Sequence, residues 1–191
     1  ENKSLFKKYK NKIIHHIVDD YPLIENYDQF DPFTYDYHTR NSIGNALTKI
    51  TSSSNDILLL SDVDEIPNYK FFSKFRGRIS IFKQYMLYFH MNLRCEGYEL
   101  DCGDGLWSGT KMLLLKDFTT AQKIRNIKSK KYGWWRVDKP KVDFFYNSGW
   151  HFRFLGNQDE LYKEFKNRAI GYTEKKLNTY NKSDLKNIIE N

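Results

Sequence analysis

Three acidic residues, Asp62, Asp64 and Glu65, follow directly after a short apolar segment, Ile57 to Leu60. One residue separates Asp62 from Asp64, so their carboxylates offer two hard oxygen ligands close together. Mg²⁺ and similar divalent cations prefer such ligands, and the same cation can also hold substrate phosphates. The pattern therefore predicts a divalent-cation site for a phosphorylated substrate. The alternative is that the acids only cap a turn.

A histidine late in the chain, His151, is the natural third ligand of this site. It follows Gly149 and Trp150, and neutral imidazole is a common metal ligand. Two carboxylates and a diphosphate would leave room for one imidazole on a six-coordinate Mn²⁺ or Mg²⁺. We therefore expect the His151 ring within about 3–5 Å of an Asp64 carboxylate oxygen. The alternative is a packed histidine with a structural role.

Four further residues have the chemistry to bind a nucleotide-linked substrate. The guanidinium groups of Arg40 and Arg125 have forked donors that suit phosphate oxygens, although both could instead form ordinary ion pairs. The indole of Trp107 could stack on a sugar or a uracil ring. Gly109 would let a ligand or a neighbouring backbone come close.

The acids need a strand to position them, and Ile57 to Leu60 reads as a strand buried on both faces. Ile13 to Val18 predicts a second strand. Apolar residues at Ile43, Ala46, Leu47 and Ile50 recur with helical spacing. A strand, helix, strand order favours a parallel sheet, whose ligands lie beyond the carboxyl ends of the strands. We therefore predict an α/β fold with a mostly parallel central sheet flanked by helices.

The rest of the chain adds further strands and short helices. The predicted strands are 79–91, which is one or two strands, 107–116 and 142–146, and the predicted short helices are 69–75 and 119–127.

Length and composition fit one globular domain over residues 1–191. The net charge of +7 favours anionic partners such as sugar nucleotides, nucleic acid or membrane surfaces. The sequence has no apolar run of 18 residues, so we expect neither a membrane span nor a signal peptide, and a soluble, cytoplasmic rather than secreted chain. Its two cysteines, Cys95 and Cys102, permit at most one local bridge.

Several motifs occur in an order that resembles glycosyltransferase family 17, which includes the β-1,4-N-acetylglucosaminyltransferase that adds a bisecting residue to N-glycans. The matching residues are Arg40-Asn41, Ser61-Asp-Val-Asp-Glu-Ile-Pro67, Trp107-x-Gly109-Thr110, Gln122-x-Ile-Arg125, Gly149-Trp-His-Phe152 with Leu155-Gly156, and the more distant Lys163 and Glu174.

The resemblance implies a GT-A type fold, a UDP-sugar donor, a glycan acceptor, Mn²⁺ or Mg²⁺ as cofactor, and inversion at the anomeric carbon. The family's donor is UDP-N-acetylglucosamine. Inversion needs a carboxylate that takes the proton of the acceptor hydroxyl. Glu65 and Asp104 are the leading candidates, with Asp138 and Asp143 behind them, and the residues alone do not decide between them.

Two other functions fit parts of the sequence. The basic and aromatic segment from Lys128 to Arg136 suits a nucleic-acid or anionic-glycan binding module without catalysis. Because acids at a strand end would repel phosphate unless a cation intervened, we expect no nucleic-acid partner. The chain could also be a degenerate transferase that binds a nucleotide-sugar without turnover. Metal-dependent phosphoryl transfer would need a denser carboxylate cluster.

Overall fold

The computed structural model describes residues 3–23, 31, 33–50, 52–95, 105–127, 129–130, 132–133, 135–156 and 159–160. Their contacts form two compact units, one of Glu1–Ser52 with Thr120–Gln122 and the other of Ser53–Thr119 with Lys123–Asn191. The single domain predicted over residues 1–191 stays a prediction.

The first unit is built from short helices. Helix α1, Lys3–Phe6, continues into a 3-10 turn, Lys7–Lys12, and α2, Thr34–Asn41, is followed by α3, Ile43–Leu47. The segment predicted as the strand Ile13 to Val18 has no strand structure, and Ile13, Ile14 and Ile17 are exposed.

In the second unit, the residues that the structure describes form a sheet of six strands. These are β1, Ile57–Leu60; β2, Glu65–Pro67; β3, Ile79–Tyr88; β4, Trp107–Leu114; β5, Val142–Phe145; and β6, Gly149–Arg153. Its helical elements are short. They are the 3-10 helices Tyr69–Lys74 and Leu115–Asp117 and the last three residues of α4, a helix that spans Ala121–Arg125.

Strand β3 is the centre of the sheet, whose order is β1-β4-β3-β6-β2. It pairs antiparallel with β4 on one side. On the other side it pairs in parallel with β5 along Ile79–Phe82 and with β6 along Tyr85–Tyr88. A turn at Asn147, which has a positive φ of 52°, separates β5 from β6. Both segments therefore follow β3 in the same direction.

The hydrophobic core lies against β3 and its neighbours. Phe82, Met112 and Phe145 form its buried centre, and Phe82 and Phe145 meet edge to face with ring centroids 5.2 Å apart. Leu59, Phe71 and Phe75 complete the cluster. Aromatic side chains of this size bury a large apolar area, which is the main favourable contribution to folding.

The predicted α/β architecture is wrong. Of the five strand pairings among the described residues, three are antiparallel, namely β1 with β4, β3 with β4, and β2 with β6. The longest described helix has eight residues, so the described chain is not a mostly parallel sheet flanked by helices, and a GT-A type fold is not seen. Since the described residues before β1 contain no strand, the predicted parallel crossover from Ile13 to Val18 is not formed.

Strand β1 is also less buried than predicted. It pairs only with β4, and Ile57 is 56% exposed while Leu60 is buried. An apolar run alone does not distinguish an edge strand from a central strand. The pattern of apolar residues indicates which faces of a strand are buried, but not how many strands pair with it. Within the described part of the chain, no helix is long and apolar enough to cross a membrane.

Candidate active site

The acidic segment forms the connection between β1 and β2. The Glu65 amide donates to the carbonyl of Asp62 over 3.1 Å, which closes a turn whose tip is the exposed Val63. Glu65 then begins β2 and lies directly opposite His151 in the antiparallel pair of β2 with β6. The fold therefore brings the acidic segment and the Gly149-Trp-His motif to the same place.

Asp64 and His151 form the central pair of this site. Nε2 of His151 lies 3.3 Å from Oδ2 of Asp64, within the predicted range. The Phe152 amide also donates to the carbonyl of Asp64 over 2.9 Å, which fixes the two backbones relative to each other. The hydrogen bond with His151 is the main cause that lowers the pKa of Asp64, against a smaller opposing effect of burial. The site thus favours the carboxylate form of Asp64.

The imidazole of His151 is held among buried groups. Its ring centroid lies 4.8 Å from that of Trp107, at a tilt of 34°. Its side chain is only 6% exposed, whereas that of Asp64 is 45% exposed. Nδ1 of His151 has no hydrogen-bond partner among the described residues. The pair therefore presents one accessible carboxylate beside an imidazole of fixed orientation.

A second group of contacts surrounds the buried carboxylate of Glu65, and we call it the Glu65 cluster. Trp107 Nε1 donates to Oε1 over 2.8 Å, and Arg125 NH1 lies 2.8 Å from the same oxygen. The Asp62 amide donates to Oε2 over 3.2 Å, and Thr110 and Ser61 hydroxyls lie 3.5 and 3.4 Å from it. The Glu65 side chain has 0% exposure. Its carboxylate therefore connects the acidic turn to β4 and α4.

Arg125 links two acids of the segment, the predicted cation ligand Asp62 and the predicted base candidate Glu65. Its NH2 group lies 2.6 Å from Oδ2 of Asp62, and its own side chain is 12% exposed. With Glu65 on its other side, Arg125 compensates two carboxylates. The Arg125 guanidinium also lies over the Trp107 ring at 5.9 Å, so its orientation is fixed on three sides.

The predicted metal ligands are brought together only in part. Asp64 and His151 are adjacent, but Asp62 is paired with Arg125. Among the residues that the structure describes, no group of three or more His, Cys, Asp or Glu side chains is arranged to hold a metal ion. The donor set of one carboxylate and one imidazole fits a transition-metal cation that takes its other ligands from substrate and water. Metal binding stays a prediction.

Gly109 makes room for protein side chains in this structure. A Cβ atom built there would overlap the Gln84 side chain and lie 3.0 Å from Cδ of Glu65. Gln84 also lies 3.4 Å from Thr110 through both its amide nitrogen and its oxygen. Gln84 was not among the predicted site residues. The sequence could have indicated Gln84, because it is a polar residue within the mostly apolar segment of β3.

Arg40 belongs to the other unit, where it acts on the beginning of α4. Its NH1 group donates to Oε1 of Gln122 over 2.6 Å, and Asn41 Oδ1 accepts from the Gln122 amide over 3.0 Å. Two of the motifs that carried the family resemblance therefore contact each other. A direct role of Arg40 in donor binding stays a prediction.

Some predicted residues lie outside the described part of the chain. They are Asp104, Cys102, Lys163 and Glu174, and a bridge between Cys95 and Cys102 is not tested for the same reason. Of the weaker base candidates, Asp138 forms a two-point pair with Arg136 at 2.7 Å for both contacts. Asp143 lies on β5 and takes no part in the Glu65 cluster.

Comparisons with known proteins agree with the motifs. The family model described as glycosyltransferase family 17 matches residues 1–156. Neither the curated proteins nor the solved structures that were searched gave a match. Since the family model covers most of the chain, the chain belongs to glycosyltransferase family 17 and is a glycosyltransferase.

Proposed function

We propose that this enzyme transfers a sugar from a UDP-sugar, with N-acetylglucosamine as the sugar, to a hydroxyl group of a glycan acceptor, with Mn²⁺ as the favoured cofactor and Mg²⁺ as the substitute. Membership of the family supports glycosyl transfer. The choice of donor comes from the resemblance of the motifs. The pair of Asp64 and His151 is the observation that carries the metal-dependent part of the proposal.

The cation would be held by Asp64 and His151, with oxygens of the donor diphosphate and water as its other ligands. Asp64 is partly exposed and has a lowered pKa, and both properties suit a metal ligand. When bound, the cation supplies positive charge against the diphosphate leaving group. Mn²⁺ accepts an imidazole nitrogen more readily than Mg²⁺, which prefers oxygen ligands.

Asp62 and Arg125 would act beside this pair. Because Arg125 is shared between Glu65 and Asp62, we propose that it orients Asp62 toward the donor ribose or a metal-bound water, as a partner of the substrate and not as a direct metal ligand. Trp107 lies against both His151 and Arg125. Its proposed role is to separate the Arg125 guanidinium from the His151 imidazole and to hold both groups in a fixed orientation.

In the transfer itself, the acceptor oxygen forms a bond to the anomeric carbon while the bond from that carbon to the β-phosphate oxygen breaks. The bonding electron pair leaves with UDP, and a carboxylate takes the hydroxyl proton. A general base must reach the substrate, and the Glu65 carboxylate has no exposed surface and already contacts Trp107 and Arg125. We therefore propose Asp104 as the base and a positioning role for Glu65.

Release of UDP tests this proposal. The wild-type enzyme and Asp64→Asn would be incubated with UDP-N-acetylglucosamine, UDP-glucose and UDP-galactose, each with Mn²⁺, with Mg²⁺ or with a chelator. We expect release with Mn²⁺ to be fastest for UDP-N-acetylglucosamine and to stop with the chelator. Asp117→Asn is the matched control, because Asp117 is an exposed acid on the 3-10 helix after β4. Equal release with and without chelator would contradict metal dependence.

A further inference from the structure

Two cavities open at the beginning of β5, away from the acidic turn. One has a volume of about 550 Å³ and is bordered by the end of the 3-10 helix Tyr69–Lys74 and by β5. The other has a volume of about 330 Å³ and is bordered by Arg78, by Tyr132 and Gly133, and by residues 136 and 139–142. Val142 lines both cavities, so the two cavities are adjacent. We call the two together the basic groove.

The lining of the basic groove is strongly cationic. Its basic residues are Lys74, Arg76, Arg78, Arg136, Lys139 and Lys141, and its acidic residue is Asp143. Asp138 lies next to the groove and neutralises Arg136 through two contacts of 2.7 Å. The remaining excess of positive charge would attract an anionic ligand, because a cleft lined by one sign of charge focuses the field.

Two of these cations are available to a ligand. Arg78 and Lys141 are exposed, and neither side chain has an ion-pair or hydrogen-bond partner among the described residues. Exposed guanidinium and ammonium groups that are not already paired with carboxylates can form charge-assisted hydrogen bonds with phosphate or carboxylate oxygens. The basic groove therefore contains hydrogen-bond donors that can contact an anion directly, in addition to its positive electrostatic potential.

Aromatic surface accompanies the charge. Tyr132 lines the smaller cavity, and the Arg136 guanidinium lies over its ring at 5.7 Å. The Trp135 indole is 67% exposed and packs on Gly133, where a Cβ atom would lie 2.5 Å from the ring. A flat aromatic face beside cations suits a sugar ring that carries a negative charge, since the ring stacks while its anion pairs.

The groove lies at a distance from the candidate active site along the same strand. Ile79, at the beginning of β3, is paired with Val142 of the groove. Gln84 and Met86, five and seven residues later on β3, contact the Glu65 cluster and pair with His151, respectively. At about 3.3 Å per residue, the separation is roughly 17–23 Å. A ligand that reached both places would be an extended chain.

We propose that the basic groove binds acidic groups, carboxylate or phosphate, of the glycan acceptor, several sugar units away from the hydroxyl that reacts. This inference rests on the proposed function, in that the acceptor is taken to be a glycan. It deepens that function by assigning the acceptor a negative charge. A neutral glycan would leave the exposed Arg78 and Lys141 without a role.

Binding of defined oligosaccharides to the whole chain tests this assignment without any turnover. The probes are hexagalacturonate against neutral maltohexaose, phosphorylated mannopentaose against mannopentaose, and a single-stranded dT8 oligonucleotide, titrated by calorimetry at low salt. We expect at least one acidic sugar to bind at least about tenfold more tightly than its neutral counterpart, and binding of the acidic sugar to weaken as salt screens the charges.

The groove variant Arg78→Gln/Lys141→Gln should weaken binding of that acidic sugar by about fivefold. A second groove variant, Lys74→Gln/Arg76→Gln, should also weaken it, and it provides a check if the first variant is poorly folded. The matched control is Lys10→Gln/Lys116→Gln, which removes the same charge from two exposed lysines that line neither cavity. We expect less than a twofold effect in the control.

Several results would overturn the proposal. One is equal affinity for acidic and neutral sugars, and another is equal loss in groove and control variants. Tighter binding of dT8 than of either acidic sugar, lost in the groove variants, would assign the groove to nucleic acid. UDP-N-acetylglucosamine binding should be unchanged in the groove variants, so a failure of donor binding in the wild type would count against the proposed function and not against the groove.

Discussion

The imidazole of His151 and the carboxylate of Asp64 lie 3.3 Å apart because β2 and β6 pair antiparallel. That pairing sets Glu65 opposite His151, and the Phe152 amide donates to the Asp64 carbonyl. Backbone hydrogen bonding thus holds Asp64, in the turn before β2, next to His151 of β6. In physical terms the site is preorganised, which avoids reorganisation at the moment of reaction.

Asp64→Asn should abolish most of the activity while the chain stays folded. The substitution keeps the shape of the side chain and removes the charge that would hold the cation. We expect a loss of at least about a hundredfold in turnover. Steady-state UDP release measures the effect, and circular dichroism checks the fold. Turnover like that of the wild type would show that Asp64 is not a metal ligand.

His151→Ala should weaken Mn²⁺-supported activity more than Mg²⁺-supported activity, because Mn²⁺ takes nitrogen ligands more readily. The ratio of the two rates is the measurement, and it is insensitive to a uniform loss of folded protein. His90→Ala is the control, since His90 is exposed and lies after β3, outside the two strands β2 and β6 that position the pair. An unchanged ratio in His151→Ala would assign His151 a structural role.

Glu65→Gln should destabilise the protein by about 3 kcal/mol, because it leaves Arg125 with less compensating charge in a buried place. The side-chain amide of the Glu65→Gln variant would still accept the hydrogen bond from Trp107 Nε1. The loss of stability therefore measures mainly the ion pair with Arg125. Urea unfolding of the variant measures it, with Asp117→Asn as an exposed-acid control. A double-mutant cycle with Arg125→Gln isolates the pairwise energy. A loss below about 1 kcal/mol would contradict the central role of the Glu65 cluster.

Asp138 should titrate below its ordinary pKa of 3.8, because Arg136 donates two hydrogen bonds to its carboxylate. A lowered pKa in the folded state stabilises the fold at pH values above about 3.8, and this contribution is lost as the pH falls through the lowered value. Arg136→Gln should raise the pKa of Asp138 toward 3.8, whereas Lys130→Gln should not. NMR titration of the carboxyl carbon distinguishes these outcomes.

The sequence predicted several elements closely. Ile57 to Leu60 is a strand with the predicted bounds, and the predicted strands 107–116 and 142–146 correspond to β4 and β5. The direction of the strands could not be read from the residues. Periodicity and apolar runs describe which faces are buried, and parallel or antiparallel pairing depends on contacts between distant segments.

The residues of the candidate active site were easier to predict than the contacts between them. The proximity of Asp64 to His151 followed from the ligand needs of a cation. The pairing of Arg125 with Asp62 and Glu65 did not, because a forked guanidinium suits phosphate and carboxylate equally well. The burial of Glu65 was also not predictable, since its carboxylate contacts Trp107 of β4 and Arg125 of α4, which are distant in the sequence.

Calorimetric titration of UDP-N-acetylglucosamine into the wild-type chain, with Mn²⁺ and with a chelator, decides whether Asp64 takes part in cation-dependent binding of the donor. We expect saturable binding that requires Mn²⁺ and that is lost in Asp64→Asn but retained in Asp117→Asn. Binding of the same strength in the presence of the chelator, or no divalent-dependent binding of any nucleotide-sugar, would contradict it.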